Sequence, residues 1–125
     1  MVIGLGIDLL ETQRLADALA RHGDRFLERV FTAEERAQAG ACRESLLALA
    51  ARFAAKEAAL KALGTGWSGG IGFRDVEVRN QPSGAPRLLL HGPAASRAEK
   101  LGVRRLMVSL THQPGVAAAV VILED

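Results

Sequence analysis

The chain has 125 residues, 49% of them hydrophobic and 24% charged, which is ordinary for one globular domain with a real core. A net charge of only +2 and an aromatic content of 4% argue against a nucleic-acid-binding protein. No apolar run approaches the length of a membrane span, and the single cysteine, Cys42, excludes an internal disulfide and predicts a reducing, cytoplasmic setting.

Residues 2–10 alternate in the way that is typical of a β-strand. One face is entirely apolar and consists of Ile3, Leu5, Ile7 and Leu9. The opposite face carries Gly4 and Gly6, which would let another backbone or a ligand approach closely, and it ends in Asp8. Asp8 is either a turn residue at the strand end or a functional carboxylate, and the strand pattern leaves both interpretations open.

Helical spacing of apolar residues follows over positions 12–22, with Thr12 predicted as the N-cap and Gly23 as the end. Residues 24–31 predict a short turn or helix. Thr32 and Glu35 have the spacing of a capping box, so a further helix is expected through about residue 39, closed by Gly40.

A basic cluster lies in the first quarter of the chain and consists of Arg14, Arg21, Arg25 and Arg29. Arg14, Arg21 and Arg25 lie off the predicted apolar stripe and face solvent. They form either an ordinary solvated face or a patch for an acidic protein or a phosphorylated ligand.

The strongest helix signal begins near Ser45, is rich in alanine, and ends at Gly64 or Gly66. At 100° per residue one stripe of this helix contains Leu46, Ala50, Phe53, Glu57 and Leu60. Glu57 therefore interrupts an apolar face, where a carboxylate is costly. Lys61 lies one turn further on, so an ordinary ion pair between Glu57 and Lys61 is one explanation.

The second half of the chain predicts mostly strands. A glycine-rich loop over 64–72 precedes strands at 73–79 and 87–90, which are joined by a turn. A helix over 94–101 has Pro93 in its first turn, and strands follow at 105–112 and 116–123. The last is nearly continuous in apolar residues, as expected of a sheet centre or an interface. The order β-α-α-α-β-β-α-β-β predicts one compact α+β domain over residues 1–125.

Two carboxylates in unfavourable settings, Asp8 and Glu57, together with Lys61, suggest a Mg²⁺ site that substrate phosphates complete. His112 at a strand end is a ligand, a base or a turn residue. The three histidines lack zinc-like spacing. No nucleophile–base motif and no P-loop occur.

Three stretches together resemble a known family. They are GLGID at 4–8, RFAAKEA at 52–58 continued by KALGTG at 61–66, and SLTH at 109–112. In this order and spacing they resemble the holo-[acyl-carrier-protein] synthases, the short bacterial class of the 4′-phosphopantetheinyl transferases. The resemblance covers the whole chain and implies a domain in which an antiparallel sheet packs on a long central helix.

The resemblance also implies an activity. Such an enzyme transfers the phosphopantetheine arm of coenzyme A to a serine of apo acyl carrier protein and releases adenosine 3′,5′-bisphosphate, as part of fatty acid biosynthesis. Asp8 and Glu57 match the acids that hold Mg²⁺, and Lys61 matches the lysine beside the diphosphate. The serine's base stays open between a metal-bound water, Glu57 and Lys61.

Further positions match binding residues of that family. Arg52 and His112 match positions at the coenzyme A nucleotide, and Gly64, Thr65 and Gly66 complete the implied coenzyme A set. The implied carrier-protein contacts are Arg14 and Arg25, with Arg29 as a further candidate. The implied assembly is a homotrimer with active sites between subunits, in which His112 serves its own or a neighbouring site. A coenzyme A-binding module without turnover is the competing interpretation.

Overall fold

Ten helices and strands occur in the computed structural model, which describes residues 1–125; they follow the predicted order with one helix more, because residues 24–30, expected as a short turn or helix, form a helix. They are β1 (Val2–Glu11), α1 (Thr12–His22), α2 (Asp24–Val30), α3 (Ala33–Gly40), α4 (Ser45–Leu63), β2 (Val76–Asn80), β3 (Pro86–Leu90), α5 (Gly92–Leu101), β4 (Arg105–Gln113) and β5 (Val116–Glu124). The predicted α+β fold is thereby confirmed.

Two local predictions were wrong at element boundaries. Glu11, not Thr12, is the N-cap of α1, and no side chain caps that helix. Residues Phe73–Asp75 form a 3₁₀ turn, so β2 begins only at Val76. The carboxylate of Asp75 accepts a hydrogen bond from the backbone N–H of Gly72 at 2.8 Å. Such a local bond competes with strand pairing, which explains the late start of the strand.

β5 is the middle strand of a three-stranded antiparallel sheet of order β1-β5-β4. This confirms the sheet-centre interpretation of its apolar sequence. In the register, Ile7 lies beside Val120 and Val120 beside Ser109. β2 and β3 form a separate antiparallel hairpin.

α4 lies at the centre of the core and touches the inner face of β1 unusually closely. A Cβ added at Gly6 would lie 1.8 Å from the carbonyl oxygen of Ala58, and one at Gly4 would lie 2.4 Å from that of Ala62. The prediction that these glycines admit another backbone is therefore confirmed. The same face of β1 continues from Gly6 to Asp8, whose carboxylate reaches a side chain of α4: it accepts a hydrogen bond from Lys61.

Alanine dominates the buried surface of α4, and Ala50, Ala54, Ala55 and Ala58 are fully buried. Small side chains on the helix and glycines on the strand together permit the short separation. None of the helices combines the length and the apolar character that crossing a membrane requires.

Candidate active site

Asp8 and Glu57 line one cleft, which has a volume of about 400 Å³. Asp8 comes from the inner face of β1 and Glu57 from the stripe of α4 that faces it. Arg14, Phe26 and Phe53 also line this cleft. The register between β1 and α4 thus brings together the two carboxylates that the sequence had singled out.

Glu57 is only partly withdrawn from solvent, but its surroundings favour its protonated form. Burial raises the pKa of Glu57, a hydrogen bond from Trp67 lowers it, and the charge of Asp8 raises it; the net pKa is raised. The bond runs from Nε1 of Trp67 to Oε1 of Glu57 at 3.3 Å. The influence of Asp8 on Glu57 means that two negative charges repel each other across the cleft.

Lys61 is paired with Asp8 and not with Glu57. Its Nζ donates to Oδ1 of Asp8 and to the carbonyl oxygen of Ile7, both at 3.0 Å. The ordinary ion pair between Glu57 and Lys61 is therefore not what the structure contains. An ammonium group has three donors, and the lysine side chain is 56% exposed, so one donor is available beside Asp8.

The two carboxylates suit a hard cation such as Mg²⁺, which prefers oxygen ligands. The negative charges of Asp8 and Glu57 repel each other, and a bound cation would relieve this repulsion. No cluster of three or more His, Cys, Asp or Glu side chains occurs. Two carboxylates can nevertheless suffice for Mg²⁺, which commonly takes one or two of them and fills its other positions with water and substrate phosphate.

Arg52 and His112 meet at a second cavity of about 350 Å³. Nη1 of Arg52 donates to the carbonyl oxygen of Ala48 at 3.0 Å. Its Nε and Nη2 are buried and have no hydrogen-bond partner. Burial lowers the pKa of Arg52, although Cys42 and Glu35 oppose this effect. Unpaired buried donors of a guanidinium group suit a phosphate or carboxylate ligand.

The turn after α4 contains the three remaining predicted coenzyme A residues. Gly64 has φ of 75°, in the left-handed region, and its N–H donates to the carbonyl oxygens of Leu60 and Lys61. This confirms Gly64 as the helix stop. Thr65 donates its hydroxyl to the carbonyl oxygen of Gly66. None of the three residues lines either cavity.

The predicted basic cluster is exposed on α1 and α2. Arg14 lines the cleft that holds Asp8 and Glu57. Arg25 and Arg29 line a neighbouring hollow of about 320 Å³ with His22 and Phe26. Phe26 lines both depressions, so the basic surface is continuous with the cleft.

Sequence reasoning missed a buried ion pair next to the site. Nζ of Lys56 lies 2.7 Å from Oε1 of Glu35, and both side chains are fully buried. Burial lowers the pKa of Lys56, against the opposing effect of Glu35. Glu35 also closes the predicted capping box with Thr32, which is confirmed. The one feature of the sequence that could have indicated this pair is the position of Lys56 within the alanine-rich stretch of α4.

Comparisons with known proteins agree with this geometry. Residues 4–121 match the family model of the 4′-phosphopantetheinyl transferase superfamily. The holo-[acyl-carrier-protein] synthase of Nitratidesulfovibrio vulgaris is 55% identical over 125 residues, covering all of both chains. The crystal structure of the corresponding synthase from Neisseria meningitidis has a TM-score of 0.90 at 32% identity, covering 100% of each chain.

A further structural relative is bound to a ligand. The Helicobacter pylori holo-[acyl-carrier-protein] synthase in complex with coenzyme A has a TM-score of 0.84 at 29% identity. The match covers 96% of this chain and 99% of that one.

Proposed function

The chain belongs to the 4′-phosphopantetheinyl transferase superfamily and, within it, to the holo-[acyl-carrier-protein] synthases, and from this we propose that it loads acyl carrier protein in fatty acid biosynthesis with Mg²⁺ as cofactor. The serine oxygen of the apo carrier attacks the phosphorus that bears the pantetheine arm of coenzyme A. A new P–O bond forms, and the bond to adenosine 3′,5′-bisphosphate breaks. The observation that carries this proposal is the cleft shared by Asp8 and Glu57, with Lys61 paired to Asp8.

Asp8 and Glu57 would hold the Mg²⁺ ion. Bound there, the ion supplies Lewis-acid polarisation of phosphoryl oxygens and neutralises charge on the diphosphate. Asp8 comes from β1 and Glu57 from α4, so the two elements together would hold the ion. The serine proton passes to a base that we leave open between Glu57, Lys61 and a water molecule.

Lys61 contributes a positive charge to the diphosphate. Asp8 and the carbonyl oxygen of Ile7 already hold two of its three ammonium donors, which keeps the ammonium group beside Asp8. A lysine so placed stabilises the negative charge on the transferring group and on the leaving bisphosphate.

Arg52 and His112 would bind the nucleotide end of coenzyme A. The unpaired Nε and Nη2 of Arg52 are donors suited to a phosphate oxygen. Positions 52 and 57 lie about 140° apart around an α-helix, so the two cavities open on different sides of α4. A ligand that contacts both the cleft with Asp8 and Glu57 and the cavity with Arg52 and His112 would therefore lie between two copies of the chain, one of which supplies the cleft and the other the cavity.

A homotrimer with active sites between subunits therefore forms part of the proposal. The outer face of β1 is apolar, and its side chains Leu5, Ile7 and Leu9 are 64%, 67% and 69% exposed. Side chains of this kind in a row on one strand are typical of a surface that another copy covers. The nucleotide residues Arg52 and His112 would then serve a neighbouring copy's cleft. The single domain over 1–125 and the cytoplasmic setting are likewise proposed.

The acidic carrier protein is proposed to dock on Arg14, Arg25 and Arg29. These side chains are exposed beside the cleft. Complementary charge raises the encounter rate and selects the partner. The Arg14 end of this surface borders the carboxylates, where the carrier's serine must arrive.

The direct test mixes the protein with coenzyme A, MgCl₂ and an apo carrier protein and weighs the carrier by mass spectrometry. We expect the carrier to gain the mass of one phosphopantetheine group, and the gain to disappear when EDTA is added. If none of several apo carrier proteins gains this mass, the proposed activity is contradicted.

The docking surface makes a separate prediction. Arg14→Ala should raise the KM for the carrier protein roughly tenfold, because one desolvated charge pair is worth about 1–3 kcal/mol. The dissociation constant for coenzyme A should stay the same. Arg87→Ala, at an exposed arginine of β3 that lines neither depression, serves as the control for loss of one positive charge. Equal losses in coenzyme A affinity and carrier use would contradict the division of the surface.

A further inference from the structure

Trp67 touches the site but has no part in the roles described above. It is the only tryptophan of the chain and lies in the loop after α4. Its Nε1 donates a hydrogen bond to Oε1 of Glu57 at 3.3 Å. That is the one side-chain hydrogen bond of Glu57, so Oε2 is the oxygen left for a ligand in the cleft.

An aromatic stack holds the indole ring in this position. The ring centroids of Trp67 and Phe73 are 3.9 Å apart, and those of Phe73 and Phe53 are 5.5 Å apart. Phe53 lies one helical turn before Glu57 on α4. The indole is therefore supported by the same helix that carries the carboxylate it binds.

The middle ring of this stack is fixed in turn by the buried ion pair. Nζ of Lys56 donates to the carbonyl oxygen of Phe73 at 3.0 Å, and it is paired with Glu35. Lys56 directly precedes Glu57. The 3₁₀ turn that presents Phe73 is thus tied to α4 beside the carboxylate, through a lysine that solvent does not reach.

We propose that Trp67 is a positioning residue for Glu57, whose N–H holds Oε1 and so directs Oε2 toward the Mg²⁺ ion. The terminal torsion of a glutamate is broad, and a fixed donor restricts it. Metal ligands commonly depend on such outer partners, whose loss costs about 10- to 100-fold in metal affinity or activity. This inference rests on the proposed function, because it takes Glu57 as the magnesium ligand.

The test uses Trp67→Phe, which keeps an aromatic ring against Phe73 but removes the N–H donor. Mg²⁺ binding is measured by calorimetry with coenzyme A present and carrier protein absent, so that no turnover occurs. We expect the dissociation constant for Mg²⁺ to rise about tenfold or more, with the circular dichroism spectrum unchanged. Ser68→Ala, which removes a hydrogen bond of the same loop to Thr65, should leave the Mg²⁺ constant unchanged.

A second readout uses the wild-type chain, in which Trp67 is the sole indole fluorophore. Addition of MgCl₂ to the complex with coenzyme A should change its emission, and Glu57→Gln should remove that change. Unaltered emission while calorimetry records Mg²⁺ binding would overturn the proposal. An equal loss of Mg²⁺ affinity in Ser68→Ala, or none in Trp67→Phe, would overturn it as well.

The two hypotheses fail in different ways. A wild-type protein that binds Mg²⁺ with the expected fluorescence change but modifies no carrier would contradict the proposed activity and support the role of Trp67. A wild-type protein that modifies the carrier, with Mg²⁺ affinity independent of the indole, would contradict only the role of Trp67.

Discussion

At the scale of the residue, the proposed role of Glu57 as a metal ligand opposes the stability of the folded chain. Its charged form is disfavoured by burial and by the charge of Asp8, so its pKa in the folded chain is raised. The folded state then binds the proton more tightly than the unfolded state does. The free energy of unfolding contributed by this group is therefore highest below the unfolded pKa of about 4.3, and it falls as pH rises through the folded pKa.

Glu57→Gln is expected to stabilise the metal-free protein at pH 7 and to remove the activity. The amide carries no charge to desolvate, and its oxygen can still accept from Trp67. Loss of the carboxylate removes metal-assisted charge stabilisation worth several kcal/mol, so turnover should fall at least about 100-fold. Thermal melts across pH check the first expectation, and carrier mass spectrometry checks the second.

Two outcomes would contradict this account of Glu57. One is a variant that retains wild-type turnover. The other is a gain in melting temperature that persists at pH 4, where wild-type Glu57 is already protonated in the folded chain. Asp17→Asn, an exposed carboxylate on α1, is the matched control and should change neither quantity appreciably.

The ion-pair partner of Lys61 differs from the one that α4 alone predicts, because β1 packs against that helix. Spacing on α4 alone favours a pair with Glu57, but the approach of β1 brings Asp8 within 3.0 Å of the ammonium group. The pairing leaves Glu57 without a cation of the chain as a hydrogen-bonded partner. That carboxylate is thereby left for the proposed Mg²⁺ ion.

At the scale of elements, the contact between β1 and α4 depends on the absence of side chains. Gly6→Ala would put a methyl group 1.8 Å from the backbone oxygen of Ala58, an atom that cannot move without shifting the central helix. We expect a loss of about 3 kcal/mol or more in the free energy of unfolding, measured by urea denaturation. The Mg²⁺ affinity should fall too, because Asp8 would be displaced from Glu57.

The chain offers a matched control for that substitution. Gly40 is the last residue of α3, and nothing lies within 4 Å of a Cβ built there. Gly40→Ala should leave the stability unchanged or raise it by up to about 1 kcal/mol. Similar stability losses in both variants would mean that close packing is not the reason for glycine at position 6.

At the scale of the whole molecule, the exposed apolar face of β1 links the proposed trimer to the proposed activity. Ile7→Glu should convert the proposed trimer to a monomer, because a charge at the centre of an apolar interface loses its hydration without a partner. Light scattering should show the molar mass fall from that of three chains to that of one. Carrier modification should fall with it, since each proposed site draws on two copies.

The matching control adds the same charge elsewhere. Ala37→Glu lies on the exposed side of α3, away from the sheet, and should change neither molar mass nor activity. A trimer that survives Ile7→Glu would exclude this face as the interface. A wild-type protein that is monomeric at micromolar concentration would remove the shared-site proposal itself.

The sequence by itself determined those features that depend on interactions between residues close together in the chain. Apolar spacing and glycine and proline positions determined the order of elements and the bounds of α4, since these depend on neighbours within a turn or a strand pair. Asp8 and Glu57 could be selected because each carboxylate lies on a face where burial opposes its charge. Lys61 could be selected because it lies one helical turn after Glu57.

Only the tertiary structure decided which of these side chains meet. The pairing of Lys61 with Asp8, of Lys56 with Glu35 and of Trp67 with Glu57 joins residues on separate elements. Such contacts depend on how closely the backbones approach and in which register, and no local pattern encodes that distance. At β1 and α4 the two missing Cβ atoms set it, and the site follows from that separation.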